Sequence, residues 1–372
     1  MRVVSVVGTR PQLIKAAALL PVLRERHAVE LVDTGQHWDD VLAGSFFREF
    51  GLPEPDHSLG AGGGSHAEQT AAMLLALEPI LAAARPDAVL VFGDTNSTLA
   101  GSLAAAKLGL PVGHVEAGLR SFDRRMPEEL NRVVADHLSR WLFAPTATAV
   151  ANLRAEGITD GLTLVGDLMQ DLAARVSPEI RDPAVLRQIE AALPPGARRR
   201  LEPGGYLFAT IHRQENREPH AVAAWAELLS RLARPDRPVI LALHPGTRVA
   251  LQRAAADPGP DTVIVEPQSY RTSLALQLHA AAVVTDSGGV QREAAWLRVP
   301  CLVLRTTTEW VEAVAASGGG MVVIGLDAER AAAELDRLAP ADAAMDLART
   351  RAAALHIEPG GAAELIAAEL ER

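Results

Sequence analysis

The chain has 372 residues, 48% hydrophobic and 22% charged, with a formal net charge of −10 and a single cysteine, Cys301. At about 100–200 residues per domain this length predicts two domains, and the acidic balance excludes a broad electrostatic footprint for nucleic acid or anionic lipid. The lone cysteine excludes an intrachain disulfide and a cysteine-rich metal site, which suits a reducing cytosol.

The amino terminus opens on an apolar run at 3–7, which Arg10 and Lys15 interrupt before it reaches the length of a signal sequence. No uninterrupted apolar stretch approaches the ~20 residues that span a bilayer, so a soluble cytoplasmic protein without a membrane partner is expected. Short β-branched runs then alternate with longer helical patterns. Strands are predicted at 3–7, 29–32, 88–92, 112–114, 141–143 and 162–165, with helices at 11–23, 66–84 and 128–138 between them. The pattern restarts with strands at 206–210, 239–243, 262–265, 282–285, 301–304 and 321–324. A proline- and arginine-rich stretch at 178–203, holding one helix at 183–192, is the predicted junction. A last helix at 362–370 follows Pro359-Gly360-Gly361.

The strands are near-continuously apolar rather than alternating, as when helices cover both faces of a parallel sheet. The predicted fold is α/β: two Rossmann-like domains, 1–177 and 178–355, with mostly parallel sheets and a central cleft, and a tail at 356–372 packing back on the first. Ligands in such sheets bind outside the carboxyl ends of the strands.

Five segments at strand ends carry candidate chemistry. In Gly8-Thr9-Arg10-Pro11-Gln12-Leu13-Ile14-Lys15 a strand turns into a helix, with Pro11 suited to the first turn. Arg10 beside free helix N–H groups attracts an anion; a surface arginine on a plain turn is the simpler alternative. Asp94, in Gly93-Asp94-Thr95-Asn96-Ser97-Thr98, follows the 88–92 strand, and Thr95 or Asn96 can cap the next helix while Asp94 faces a ligand. Glu116 closely follows another strand, and Glu128 lies four residues before Arg132 on a helix that Pro127 begins. Such a pair is most often a solvated bridge of little value, but three carboxylates near strand ends can separate their pKa values and support acid–base chemistry. His212, in His212-Arg213-Gln214-Glu215-Asn216, is suited to proton transfer or to a phosphate, or else to a structural hydrogen bond; His244 has a similar strand-end position. Neither is part of a zinc-ligand spacing. In Thr285-Asp286-Ser287-Gly288-Gly289-Val290-Gln291-Arg292-Glu293, the glycines let backbone N–H groups approach a diphosphate at a helix start, with the Ser287 hydroxyl as a further donor and Glu293 placed for ribose hydroxyls. Neither the dinucleotide GxGxxG nor a Walker sequence occurs.

Taken in order, GTRPQLIK, TGQH, GDTNSTLAG, HVEAGLRS, MPEELNR, HRQEN, LHPGTR, TDSGGVQREA and TTEWVEAV, from residue 8 to residue 314, resemble the non-hydrolysing UDP-N-acetylglucosamine 2-epimerases. The resemblance implies a glycosyltransferase-B-like fold, a homodimer, no cofactor, and interconversion of UDP-GlcNAc and UDP-ManNAc. By motif matching it implies Asp94, Glu116 and Glu128 as acid–base carboxylates and His212 as the group assisting the UDP leaving group. Arg10, Lys15, Arg132, Ser287, Gly288, Gly289 and Glu293 match the nucleotide-sugar contacts. Which carboxylate is base and which acid stays open.

Some segments depart from the family pattern. Gln36-His37-Trp38 lacks an arginine common there, and the Gly60–Gly64 loop lacks the side chains of a second, activating UDP-GlcNAc site; weak or absent substrate activation is expected. Tyr270-Arg271-Thr272-Ser273 differs from the apolar segment beside uracil. Pro11-Gln12, Thr34-Gly35-Gln36-His37, Arg120-Ser121-Phe122 and Glu309-Trp310 resemble a sister branch, some of whose members act on UDP-2,3-diacetamido-2,3-dideoxy-glucuronic acid. The extra carboxylate of that substrate calls for a spare cation such as Arg124, Arg125 or Arg213. A sugar transferase of the same fold, a hydrolysing epimerase and a nucleotide-sugar sensor are the rival readings; Pro11 and the carboxylate set argue against them.

Overall fold

The computed structural model describes residues 1–36, 47, 49–193 and 201–372. His37 and Trp38, and part of the predicted junction, lie outside the described residues. The chain divides into two compact units, Met1–Leu172 with Glu358–Arg372, and Ala173–Ile357.

Among the described residues the first unit holds seven strands: β1 (Arg2–Val7), β2 (Ala28–Asp33), β3 (His57–Ser58), β4 (Ala88–Phe92), β5 (Val112–Val115), β6 (Trp141–Ala144) and β7 (Leu162–Leu164). They form one sheet in the order β3-β2-β1-β4-β5-β6-β7, parallel throughout. The helices of this unit, among its described residues, include α1 (Arg10–Arg24), α2 (His66–Ala84), α3 (Asn96–Lys107), α4 (Pro127–Leu138) and α5 (Ala147–Ala155); α6 (Leu168–Ile180) runs on into the second unit. β4 reads AVLVF and is buried at every position, because helices cover both faces of the sheet. Met73, Leu77 and Leu81 of α2 pack with Val4, Val6, Val89 and Val91 of the sheet.

Local chemistry sets the helix ends. Ser65 Oγ accepts from Glu68 N, and Glu68 Oε2 accepts from Ser65 N at 2.7 Å, the reciprocal capping that starts α2. The helix stops where Arg85 takes φ 43°. The carboxyl-terminal helix, Ala362–Leu370, packs against α1, and Asp171 anchors its start by accepting from Gly361 N at 2.9 Å and Ala363 N at 3.1 Å.

The second unit repeats the plan with β8 (Leu207–Ile211), β9 (Val239–Leu243), β10 (Thr262–Val265), β11 (Ala282–Thr285), β12 (Cys301–Val303) and β13 (Met321–Val323). They form a six-stranded sheet in the order β10-β9-β8-β11-β12-β13, again parallel. Its helices are α7 (Ala184–Ala192), α8 (Pro219–Leu232), α9 (Pro245–Ala254), α10 (Tyr270–His279), α11 (Gly288–Trp296), α12 (Val311–Ala316), α13 (Ala328–Leu338) and α14 (Ala344–Ala353); the terminal helix of the first unit is then α15. Trp225, Leu228 and Leu229 of α8 pack under β8 and β9 with Leu207, Leu241 and Leu243.

Each sheet reverses its strand order once, between β1 and β4 in the first and between β8 and β11 in the second. Connections leave opposite faces on either side of a reversal, so the loops after those strands part and leave a crevice. The β1 and β4 loops carry Arg10 and Asp94; the β8 and β11 loops carry His212 and Ser287-Gly288-Gly289. No helix among the described residues is long and apolar enough to cross a membrane.

Candidate active site

In the first unit one side chain joins the two loops of the reversal. Gln12 is buried in the first turn of α1. Its Oε1 accepts from Gly8 N at 2.9 Å and Thr9 N at 3.1 Å, while its Nε2 donates to Phe92 O at 2.6 Å and to the Thr95 and Thr98 hydroxyls at 3.0 Å. The turn that places Arg10 and the turn that places Asp94 are thereby one assembly. Gly8 is obligatory here, since a Cβ would lie 1.9 Å from Thr34 Oγ1 and 2.3 Å from Ser97 Oγ.

The candidate carboxylates meet different partners. Asp94 pairs with Arg132 of α4, which also donates to Glu129 at 3.0 Å. Glu116 pairs with Lys15, a buried lysine on α1. Glu116 sits at φ 75°, a conformation that costs a non-glycine residue about 1–3 kcal/mol and tends to persist where function needs it. Gly93 lies beneath this pair, where a Cβ would come within 3.2 Å of Glu116 Oε2 and 3.3 Å of Lys15 Nζ. Glu128, half-buried near the start of α4, has no hydrogen bond or ion pair among the described residues. The i,i+4 bridge between Glu128 and Arg132 considered from the sequence does not form, because Arg132 turns to Asp94 instead. Thr95 is the N-cap of α3, and Asn96 accepts from Asn131 and donates to Gln69.

In the second unit Asp286 plays the joining part. It is fully buried and accepts from His212 N at 3.1 Å, Arg213 N at 3.0 Å and Asn216 Nδ2 at 2.8 Å. Its carboxylate also faces His212 Nδ1 at 3.3 Å. The exposed His212 ring is thus oriented from Nδ1, leaving Nε2 as its other face. Burial alone would raise the Asp286 carboxyl, but the His212 ring beside it and the hydrogen bonds from Asn216 and Arg213 hold it at about 2.

Ser287 is the N-cap of α11, and its hydroxyl oxygen accepts from Val290 N at 3.4 Å. Gly288 follows, where a Cβ would meet Trp310 Nε1 at 3.0 Å; Gly289 completes the turn, so backbone N–H groups open the helix as an anion requires. The Trp310 ring lies 3.8 Å below the Arg292 guanidinium. Glu293 is buried and accepts from Gln277 Nε2 at 2.6 Å. His244 serves the local structure, since its Nδ1 accepts from Gly246 N at 3.1 Å and caps α9.

The structure therefore brings Arg10, Lys15, Asp94, Glu116, Glu128 and Arg132 to the strand ends of one sheet. It places His212, Ser287, Gly288 and Gly289 at those of the other, with Glu293 buried farther along α11. Sequence reasoning missed Gln12 and Asp286, which hold these loops in place. The one available signal for Asp286 was an acid directly after a buried strand, the same signal that singled out Asp94. Of the spare cations, Arg125 is paired with Asp123 at 2.7 Å, and Arg213 lies 3.9 Å from the buried Glu309. Arg124 is exposed and has no ion pair among the described residues. In the segment expected near uracil, Tyr270 is buried and Arg271 pairs with Glu179.

Two doubly wound parallel sheets, each with one strand-order reversal, define the glycosyltransferase-B-like class. Residues 22–371 match the family described as UDP-N-acetylglucosamine 2-epimerase. A UDP-N-acetylglucosamine 2-epimerase of Methanococcus maripaludis is 40% identical over 324 residues, 82% of this chain and 83% of that one. A UDP-2,3-diacetamido-2,3-dideoxy-D-glucuronate 2-epimerase of Pseudomonas aeruginosa is 38% identical over 331 residues, 87% and 88% of the two chains. The crystal structure of the Methanocaldococcus jannaschii UDP-GlcNAc 2-epimerase in complex with UDP-GlcNAc and UDP superposes with a TM-score of 0.84 at 34% identity, covering 100% of this chain and 99% of that one. The chain belongs to the UDP-N-acetylglucosamine 2-epimerase family.

Proposed function

We propose that this chain is a non-hydrolysing UDP-N-acetylhexosamine 2-epimerase that interconverts UDP-GlcNAc and UDP-ManNAc. The observation that carries the reading is the trio Asp94, Glu116 and Glu128, two of them set against cations and one without a partner. A carboxylate removes the proton from sugar C2 while the C1–oxygen bond breaks and its electron pair leaves with UDP. A 2-acetamidoglucal and UDP result; UDP adds back at C1 as C2 takes a proton on the opposite face. The C2 proton is weakly acidic, so the reaction needs both a positioned base and stabilisation of the departing diphosphate. The start of α11, with Ser287, Gly288 and Gly289, and His212 are assigned to the diphosphate, and Arg10, Lys15 and Arg132 to the charge around the sugar.

Proton NMR of UDP-GlcNAc with purified enzyme in D2O tests this. Loss of the H2 signal with appearance of UDP-ManNAc is the expected result; release of free UDP and ManNAc, or a requirement for a sugar acceptor, would refute it. The second reading, epimerisation of the diacetamido-uronate, rests on the unpaired Arg124 and the Pseudomonas aeruginosa relative. The same experiment with that substrate decides between them, and under the first reading hyperbolic kinetics in UDP-GlcNAc are expected.

The assembly proposed is a homodimer. Ala71, Ala72, Leu75, Pro79, Ala82 and Ala83 leave one face of α2 apolar and exposed, Leu75 by 76%, which suits burial against a second copy. Light scattering after gel filtration reads the mass directly, and a monomer would refute it. A cytoplasmic location is proposed on the single cysteine, buried and with its thiol pushed up to about 12.

A further inference from the structure

We propose that His114 is a positively charged positioning residue that ties Asp94 to helix α4, and so sets the spacing of the acid–base carboxylates. The proposal rests on the epimerase reading for its kinetic consequence, though not for the charge.

His114 is fully buried on β5. Its Nδ1 lies 2.6 Å from Asp136 Oδ1, and its Nε2 lies 2.7 Å from the carbonyl oxygen of Gly93. A carboxylate and a carbonyl only accept, so both ring nitrogens must carry protons for both bonds to form. That is the imidazolium form. Its charge is matched by an alternating series of charges that reaches the surface: the second oxygen of Asp136 accepts from Arg120 at 2.7 Å and from Gly118 N at 3.2 Å, and Arg120 makes two further bonds of 2.7 Å to Glu156, an exposed residue. Two cations and two anions alternate along one line, His114, Asp136, Arg120 and Glu156. The alternative proton count, a neutral ring accepting from a protonated Asp136, would set that acid against Arg120. Burial works against the Asp136 carboxylate, but His114 and Arg120 outweigh it and lower its pKa.

The chain of bonds leads directly to the candidate site. Gly93 immediately precedes Asp94, and His114 donates to its carbonyl. The Asp94 carbonyl accepts from Asn131 Nδ2 at 3.0 Å, and the Asp94 carboxylate pairs with Arg132. Asn131, Arg132 and Asp136 all lie on α4, with Glu128, Arg132 and Asp136 at i, i+4 and i+8 on one face. His114 grips the far end of that face through Asp136 and the Asp94 peptide through Gly93. Without it, Asp94 and Glu128 lose their common reference, and displacement by about 1 Å costs on the order of 100-fold in rate.

Two measurements on the full chain test the proposal. With 15N-labelled histidine, long-range proton–nitrogen spectra at pH 8 should show one histidine with both ring nitrogens protonated, absent from His114→Gln. A neutral pattern for His114 would overturn the charge assignment. In the D2O assay, His114→Leu should exchange H2 about 100-fold more slowly with KM and UDP binding close to wild type. His114→Gln, which keeps one donor, should recover part of the rate, and it carries the comparison if the leucine variant does not fold. Wild-type exchange in a folded variant, or equal losses in kcat and in UDP binding, would overturn the positioning role. A wild-type enzyme with no exchange would overturn the epimerase reading and this kinetic role with it, while the spectra still decide the charge.

Discussion

Asp286, the residue that follows β11, accepts the backbone N–H of His212, the residue that follows β8, at 3.1 Å, and faces the same residue's Nδ1 at 3.3 Å. One buried carboxylate thus sets both the backbone and the ring of the candidate leaving-group histidine. Gln12 joins the β1 and β4 loops in the first unit in the same manner. In both sheets the two loops at the strand-order reversal are joined by a buried side chain that bonds across to the other loop.

Asp286→Asn replaces an acceptor of three N–H groups with an amide that must turn one N–H toward them. The His212 loop should shift, and H2 exchange should fall about 100-fold while the carboxylates of the first unit are untouched. Stability should change with pH as well. The folded carboxyl, at about 2, lies below its ordinary 3.8, so its contribution is complete above about pH 4 and disappears as pH falls through 2. The difference is about 2 kcal/mol, and urea titrations of wild type and variant should converge as the pH is lowered through that window.

The three carboxylates should separate under conservative substitution. Glu128→Gln removes no ion pair and should leave the melting temperature within about 2 °C of wild type while abolishing H2 exchange. Glu116→Gln strands Lys15 in the interior, a loss of about 3 kcal/mol, and should lower Tm as well as activity. Calorimetry alongside the NMR assay distinguishes them; an active Glu128→Gln enzyme would remove that residue from the mechanism.

Gln12→Leu preserves volume but leaves Gly8 N and Thr9 N without their partner, while Phe92 O keeps only the Thr98 hydroxyl. A loss of about 2–3 kcal/mol is expected, a fall in Tm of roughly 4–12 °C for a unit of this size. Because Arg10 and Asp94 both ride on these turns, kcat should fall even at temperatures where the variant is folded.

Gly288→Ala puts a methyl group 3.0 Å from Trp310 Nε1, so the indole and the Arg292 stacked on it must move. UDP affinity measured by titration calorimetry should weaken by about 10-fold, equivalent to 1.4 kcal/mol, with little change in Tm. Unchanged UDP affinity would place the diphosphate elsewhere than at the start of α11.

Local pattern was enough to read most of the elements. Four strands, Ala88–Phe92, Val239–Leu243, Thr262–Val265 and Ala282–Thr285, and the helices His66–Ala84 and Ala362–Leu370 match the residues expected from hydrophobic runs, caps and breakers alone. The two-residue β3, His57–Ser58, escaped because two residues carry no periodicity. The positions of Asp94, Glu116, His212 and Ser287 at strand ends were legible for the same reason, each following a buried run directly.

The partners of these residues are a different matter. Nothing local distinguishes Glu128, four residues from Arg132, from Asp94, thirty-eight residues away, yet the guanidinium goes to Asp94 and Glu129 and not to Glu128. Lys15 and Glu116 are separated by 101 residues, and their meeting depends on β4 lying between β1 and β5 in the sheet. Sequence by itself determined most of the strands, and their ends to within a residue, since propensity and burial act over a few residues. Tertiary structure decided which strand ends lie side by side within a sheet, and with that which carboxylate is paired and which is left open, because strand order brings far-separated loops together and leaves no periodic trace along the chain.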